Sequence, residues 1–217
     1  MPHEKLHLLP LKEYAGIDSN DPIRFYFWPL VGPLYRRRVE LCLDECKGGG
    51  RVLEVGFGSG LAFINLSSFY KELHGLDLTA SIADVGALYK KHDVDTFLKN
   101  GSVLAMPYPD GYFDTVLCIS ILEHLKPQEL DGAFAEIRRV LKKDGLAVYG
   151  VPANNAFMRF CFRLLGYDIR KHHFSSEHDV AAAARRALTE VKITAMLGGV
   201  PFSGSVYEIG LFVKRTS

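Results

Sequence analysis

The sequence has few of the features that mark secreted or nucleic-acid-binding proteins. Its four cysteines, Cys42, Cys46, Cys118 and Cys161, include no C-x-x-C pair. That scarcity favours small buried thiols in a reducing compartment. Neither sign of charge dominates, because 26 basic and 25 acidic residues leave a net charge of +1. This balance does not predict a nucleic-acid partner.

Long apolar runs are also absent. Residues 25–35 form the longest strongly apolar stretch near the N-terminus. It is interrupted by Pro29, Gly32 and Pro33 and is too short to span a bilayer. Residues 1–5 are polar and do not resemble a signal peptide. We therefore expect a cytoplasmic protein with no integral membrane segment, and 217 residues of which 48% are hydrophobic fit one globular domain.

The sequence does contain a glycine-rich turn after a short apolar strand. Gly56, Gly58 and Gly60 stand at alternate positions directly behind residues 51–55, and a helix-like segment follows over residues 61–70. The order strand, glycine turn, helix lets a backbone approach a nucleoside-type ligand closely. The turn is the first candidate for a binding site.

Strands and helices alternate along the rest of the chain. Further strands are predicted over residues 72–78, 95–99, 114–120, 146–151, 190–196 and 206–214. Further helices are predicted over residues 33–46, 81–91, 128–143, 156–165 and 176–188. This pattern predicts an α/β fold, a doubly wound Rossmann-like seven-stranded sheet that is mostly parallel with a C-terminal antiparallel hairpin.

Two carboxylates narrow the choice of nucleoside. Asp77 lies 21 residues after Gly56 at the end of the predicted second strand, where a carboxylate accepts hydrogen bonds from ribose hydroxyls. A helix-capping or loop aspartate is the alternative. Glu54, two residues before Gly56, would repel a pyrophosphate but would suit an ammonium and a sulfonium, unless it is paired internally. S-adenosylmethionine carries both cations and no phosphate. The G-x-G-x-G spacing also differs from the G-x-G-x-x-G of dinucleotide enzymes.

Five segments in order resemble the motifs of class I S-adenosylmethionine-dependent methyltransferases. The first two resemble the glycine motif and the ribose-binding motif. The other three resemble the type-11 subgroup, which includes ubiquinone and menaquinone methyltransferases. The segments are residues 52–60, 75–79, 101–114, 121–125 and 136–145.

The resemblance implies a single methyltransferase domain over residues 1–217. Within it we expect an N-terminal helical segment or lid (1–47), a cofactor-binding core (48–152), a connection at the acceptor site (153–189) and the C-terminal hairpin (190–217).

The resemblance also implies a set of cofactor-binding residues. Glu54, Gly56 and Gly58 would lie at the methionine portion, Asp77 at the ribose and Leu78 on the adenine. The full set is Glu54, Gly56, Phe57, Gly58, Gly60, Asp77, Leu78, Ser102, Val103 and Ile119.

Two positions depart from the subgroup. Ser102 stands where an aspartate usually contacts the adenine amino group, so the Ser102 hydroxyl or the Val103 backbone must substitute. Phe57 is bulkier than the small residues that are frequent at its position.

Methyl transfer needs a general base only if the acceptor loses a proton. His124, after the predicted fourth strand, is the first candidate, and a helix-start histidine bonded to backbone is its alternative. His172 and His173 are the second candidates, with a solvated loop pair as their alternative. No metal is predicted, because these histidines form no ligand pattern with Glu177 and His178.

The predicted function is methyl transfer from S-adenosylmethionine to a small-molecule acceptor. Aromatic side chains within residues 25–35 and 154–173 could line the acceptor pocket or belong to the core. Residues 36–38, three arginines beside these aromatic side chains, are predicted to form either a solvated helix face or a patch for a membrane surface or an anionic substrate. A peripheral membrane contact would suit a lipid or quinone acceptor. An NAD(P)-dependent oxidoreductase and a non-catalytic S-adenosylmethionine-binding protein are the alternatives from other classes. The oligomeric state is not predicted.

Overall fold

A seven-stranded sheet with the order β3-β2-β1-β4-β5-β7-β6 forms the centre of the molecule. The computed structural model describes residues 5–17, 22–155, 173–197 and 205–215. In chain order the strands are β1 Gly49–Val55, β2 Tyr70–Asp77, β3 Thr96–Asn100, β4 Phe113–Ile119, β5 Leu141–Pro152, β6 Thr189–Leu197 and β7 Ser205–Val213. The helices in the described residues are α1 Ile23–Tyr26, α2 Gly32–Leu43, α3 Phe63–Phe69, α4 Ile82–Lys90, α5 Pro127–Val140 and α6 Glu177–Ala187. Short 3-10 helices lie at Leu11–Tyr14 and Leu122–His124.

The sheet confirms the predicted fold class. Strands β1 to β5 pair in parallel, whereas β7 runs antiparallel to both β5 and β6. At the carboxyl end of β1, Val55 pairs with Leu76 of β2 on one side and with Cys118 of β4 on the other. The strand order reverses between β1 and β4, and open α/β sheets bind ligands at such a reversal.

Helix starts follow the capping residues that the sequence offers. The Ser81 hydroxyl accepts a hydrogen bond from the Asp84 N–H and begins α4. Ser176 and Asp179 form a capping box at the start of α6. The predicted helix over residues 156–165, which includes Cys161, lies outside the described residues, and so does His172.

The boundary between α5 and β5 differs from its prediction. The helix ends at Val140 rather than residue 143, because the backbone of Leu141 already pairs with Phe113 of β4. Lys142 therefore lies in the strand, where its Nζ binds the Asp114 carboxylate at 2.8 Å. Arg139, in the last turn of α5, donates to the carbonyl of Tyr108 at 2.8 Å rather than to solvent alone.

Apolar side chains cover both faces of the sheet. Cys42 of α2 and Cys46, which follows that helix, belong to one layer, and both thiols are buried. Burial is the first cause that raises the pKa of Cys46, to about 12. Within the described ranges, no helix is both long and apolar enough to cross a membrane.

Two glycines make room for two tyrosines where β5 and β7 pair. Gly210 is paired with Tyr149, and a Cβ on Gly210 would meet that ring at 2.2 Å. Across the same pair of strands, a Cβ on Gly150 would meet the Tyr207 ring at 2.6 Å. Each ring therefore needs a glycine beneath it.

Candidate functional site

The glycine turn leaves the carboxyl end of β1 in a left-handed backbone conformation. Gly56, Gly58 and Gly60 have φ values of +72°, +51° and +72°, which favour glycine. The Gly56 N–H donates to the carbonyl of Leu76 at 2.7 Å, so the turn is bound to the end of β2. A Cβ on Gly56 would lie 2.0 Å from Cγ2 of Ile121, which shows how closely the segment after β4 approaches this turn.

Asp77, the last residue of β2, is hydrogen-bonded to the glycine turn that follows β1. Its Oδ2 accepts the N–H of Gly58 at 3.0 Å, and its Oδ1 accepts those of Thr79 and Ala80 at 2.8 and 2.9 Å. A carboxylate offers about four lone-pair positions, so acceptor capacity is left on Oδ2. Leu78, the next residue, is 71% exposed although it is a large apolar side chain. The contacts of Leu78 with adenine and of Asp77 with ribose stay predictions.

Glu54 lies inside the sheet rather than on its edge. It is 4% exposed, and its neighbours include the thiol of Cys118, whose pKa is raised first by burial and then by the charge of Glu54. Phe57 is also buried, with its ring 5.6 Å from that of Phe63 and in contact with Gly75. The side chain of Phe57 thus belongs to the core, and only its backbone faces the turn.

The remaining predicted cofactor residues lie at the neighbouring strand ends. Ser102 follows β3, and its Oγ accepts the N–H of Leu104 at 3.1 Å. Val103 is buried in the apolar layer beside it. Ile119 is the last residue of β4 and is partly buried. These contacts with a nucleoside stay predictions.

The segment after β4 carries two polar residues, Ser120 and Glu123, that are not among the predicted site residues. Ser120 has a φ of +54°, and its Oγ lies 2.8 Å from the hydroxyl of Tyr207. Three residues on, Glu123 is 2% exposed, and its Oε2 has no hydrogen-bond partner among the described residues. Burial raises the pKa of Glu123 to about 8.

Two of the three histidines predicted as candidate bases, His124 and His173, lie next to each other. The rings of His124 and His173 are 5.1 Å apart and nearly perpendicular. One ligand atom from each of them and one from Glu123 all lie within 4.8 Å of one another. The prediction of no metal considered only Glu177 and His178, and the structure assembles a different group.

Arg38 differs from both predictions made for the arginines of α2. Its guanidinium carbon lies 4.3 Å from the centre of the Tyr35 ring, 5.5 Å from Tyr26 and 5.8 Å from Tyr207. It donates from Nη2 to the Tyr26 hydroxyl at 2.9 Å, and its Nε is buried without a partner in the described part of the chain. Arg37, in contrast, pairs with Glu40 near the surface.

Sequence reasoning missed Glu123 and Arg38 because their signals are not local. Glu123 precedes an exposed histidine, and Arg38 follows two other arginines, so each resembles a surface residue in the sequence. One local sign existed for Glu123, its place directly after a buried central strand. At that edge an open α/β sheet binds ligands.

Known proteins resemble this chain in sequence and in fold. Residues 53–149 match the family model described as "Methyltransferase domain". The uncharacterized methyltransferase YcgJ of Bacillus subtilis (strain 168) is 30% identical over 103 residues, which are 46% of this chain and 40% of that protein. Nodulation protein S of Azorhizobium caulinodans is 27% identical over 191 residues, 85% of this chain and 83% of that protein. This chain thus spans less than half of the Bacillus relative.

The fold also matches a solved structure. That structure is the N-methyltransferase NodS from Bradyrhizobium japonicum WM9 in complex with S-adenosyl-L-homocysteine. The match between the two chains has a TM-score of 0.66 and a sequence identity of 20%, and it covers 93% of this chain and 94% of that one. Residues 53–149 are therefore similar in sequence to methyltransferase domains, and the chain is similar in fold to this solved N-methyltransferase.

Proposed function

We propose that this protein transfers a methyl group from S-adenosylmethionine to a small-molecule acceptor and leaves S-adenosylhomocysteine. The observation that carries the proposal is the hydrogen bond from the Gly58 N–H to Asp77, which joins the glycine turn to the predicted ribose carboxylate. The family match over residues 53–149 supports the same cofactor. At a finer level we assign the chain to the type-11 subgroup and to the cytoplasm, which the buried cysteines suit.

The residues present fit this cofactor. The remaining lone pairs of Asp77 can accept the ribose hydroxyls, and the exposed Leu78 offers an apolar surface to the adenine. The Ser102 hydroxyl and the Val103 backbone, which follow β3, are the proposed contacts of the adenine amino group. Glu54 adds a negative charge below the turn, which suits an ammonium rather than a phosphate.

Methyl transfer then depends on how the chain positions the acceptor. The bound cofactor supplies a methyl group that its sulfonium already activates. Alignment of the acceptor with that methyl group can lower the barrier by about 7–11 kcal/mol. His124 and His173 are the proposed proton acceptors for a hydroxyl or amine that must lose a proton.

A second acceptor class, a lipid or quinone at a membrane surface, has its own supporting observation. Trp28, Leu30 and Leu34 are 44%, 83% and 39% exposed, and they surround the start of α2. Arg36 is exposed on the same helix. Large apolar side chains next to cations are typical of proteins that bind anionic membranes. Flotation with anionic liposomes tests this class, and Leu30→Asp should abolish flotation if it is correct.

Calorimetric titration with S-adenosylmethionine, S-adenosylhomocysteine and NAD tests the main proposal. We expect the first two to bind and NAD to remain inert. A labelled-methyl screen of small hydroxyl and amine acceptors then identifies the substrate. Binding of NAD alone would favour an oxidoreductase, and cofactor binding with no turnover on any acceptor would favour a non-catalytic protein.

A further inference from the structure

Two imidazoles and one carboxylate converge beside the proposed cofactor site. The ligand atoms of Glu123, His124 and His173 all lie within 4.8 Å of one another. Ligand atoms around one tetrahedral zinc ion lie roughly 3.3 Å apart, given bond lengths of about 2.0–2.2 Å. Because His124 is exposed, rotation of its side chain can close the remaining distance.

Glu123 is the strongest single indication of a ligand. Its side chain is buried at 2% exposure, and Oε2 finds no donor in the ranges that the structure describes. A buried carboxylate oxygen without a hydrogen bond is costly. A cation held by Glu123 and the two histidines would satisfy that oxygen without any change in the fold.

The backbone holds the three side chains together across 50 residues of sequence. The N–H groups of Phe174 and Ser175 both donate to the carbonyl of Glu123, at 2.8 and 3.2 Å. The Ser175 hydroxyl donates to the carbonyl of Leu125 at 2.7 Å. His173 is therefore attached to the 3-10 helix that carries Glu123 and His124, and a site built on attached backbone is preorganised.

The donor set selects the class of cation. Magnesium and calcium prefer oxygen ligands, whereas two imidazoles and one carboxylate suit zinc and other divalent transition metals. Three protein ligands leave at least one coordination position open, as in catalytic zinc sites. We propose that Glu123, His124 and His173 bind one divalent transition-metal cation of the zinc type.

The role of the cation rests on the proposed function, whereas its binding does not. The Ile121 side chain contacts Gly56 of the glycine turn, so the site lies next to the proposed methyl donor. An acceptor hydroxyl in the open position would lose its proton more readily, because a bound divalent cation lowers the pKa of a coordinated oxygen. With the cation bound, the two histidines act as its ligands, so the proton-acceptor role proposed above applies to the metal-free protein only.

The test uses the full chain, freed of metal with EDTA and then dialysed. Titration with Zn²⁺ is expected to show one ion per chain, and Co²⁺ is expected to give visible absorption bands of a nitrogen-containing site. Glu123→Gln and His124→Ala should each weaken Zn²⁺ binding at least tenfold. His178→Ala is the matched control, because its side chain is 87% exposed and lies outside the group.

Three results would overturn the proposal. They are no binding of Zn²⁺ or Co²⁺ to the wild type, equal binding to the wild type and both ligand variants, and binding of Mg²⁺ in preference to Zn²⁺. Because His124 is exposed, His124→Ala stays informative even if Glu123→Gln does not fold. S-adenosylmethionine binding, measured on the same samples with EDTA, separates this site from the proposed function: either can fail while the other remains.

Discussion

The carboxylate of Asp77 accepts the Gly58 N–H at 3.0 Å, and so the end of β2 is fastened to the turn that follows β1. The same carboxylate binds the N–H groups of Thr79 and Ala80. It therefore holds two backbone segments in place and also has capacity for a ligand. The helix-cap interpretation and the ribose interpretation are compatible, because one carboxylate has lone pairs for both.

Asp77→Ala should lower the affinity for S-adenosylmethionine at least tenfold, or about 1.4 kcal/mol, when measured by calorimetry. Asp77→Asn keeps an oxygen for Thr79 and Ala80, so we expect a smaller loss. Asp95→Ala is the control, because Asp95 is exposed and pairs only with Lys90 among the described residues. Unchanged binding in Asp77→Ala would remove the ribose assignment.

Gly56→Ala should destabilise the fold more than Gly111→Ala does. Both glycines have positive φ, so each alanine meets the left-handed strain of about 1–2 kcal/mol. A Cβ on Gly111 has no atom within 4 Å, whereas one on Gly56 would lie 2.0 Å from the stiff, β-branched Ile121. We expect at least about 1 kcal/mol of additional loss in Gly56→Ala from overpacking. Urea unfolding of both variants gives the difference, and equal losses would contradict the close approach.

Arg38→Gln should lower the free energy of unfolding by about 2 kcal/mol. The change removes a partly buried cation from three tyrosine rings and a charged hydrogen bond to Tyr26. Arg37→Gln is the matched control on the same helix, and its surface pair with Glu40 should be worth less than about 0.5 kcal/mol. Chemical denaturation gives the free energy of unfolding of both variants. Equal losses would show that the contacts of Arg38 stabilise the fold no more than the surface pair of Arg37 does.

His74→Phe should reduce the loss of stability in mild acid. Burial is the largest cause that lowers the pKa of His74 below 6.5, and its ring stacks on Phe97 at 4.9 Å. Below pH 6.5 the unfolded chain therefore takes up a proton at this position more readily than the folded protein. The free energy of unfolding consequently falls as the pH drops. As the pH falls from about 7.5 to about 5.5, the free energy of unfolding should therefore decrease less in the variant than in the wild type. Parallel pH profiles would contradict this assignment.

Local pattern was sufficient for most of the fold. The bounds of β4, α4 and α6 agree with their predictions to within one residue, because their signals span a few neighbouring residues. The end of α5 was misplaced for the opposite reason. Pairing of Leu141 with Phe113 connects residues 28 positions apart, and the basic residues after Val140 look like a helix end when read alone.

The candidate site was predictable only in part for the same reason. The glycines of the turn lie 17 to 21 residues before Asp77 in a fixed pattern, so the sequence indicates them. The approach of His173 to Glu123 depends on backbone bonds from Phe174 and Ser175 that no sequence period records. Two histidines that the sequence offered as alternatives are in fact neighbours.

The tyrosines over Gly150 and Gly210 also determine how β5 and β7 align. A slip of one residue would place a side chain under at least one ring, and it would also turn every apolar residue of β7 to the opposite face. The hairpin therefore tolerates one alignment and excludes its neighbours. Because β7 lies between β5 and β6, the alignment of β7 on β5 also sets the position of β6 at the edge of the sheet.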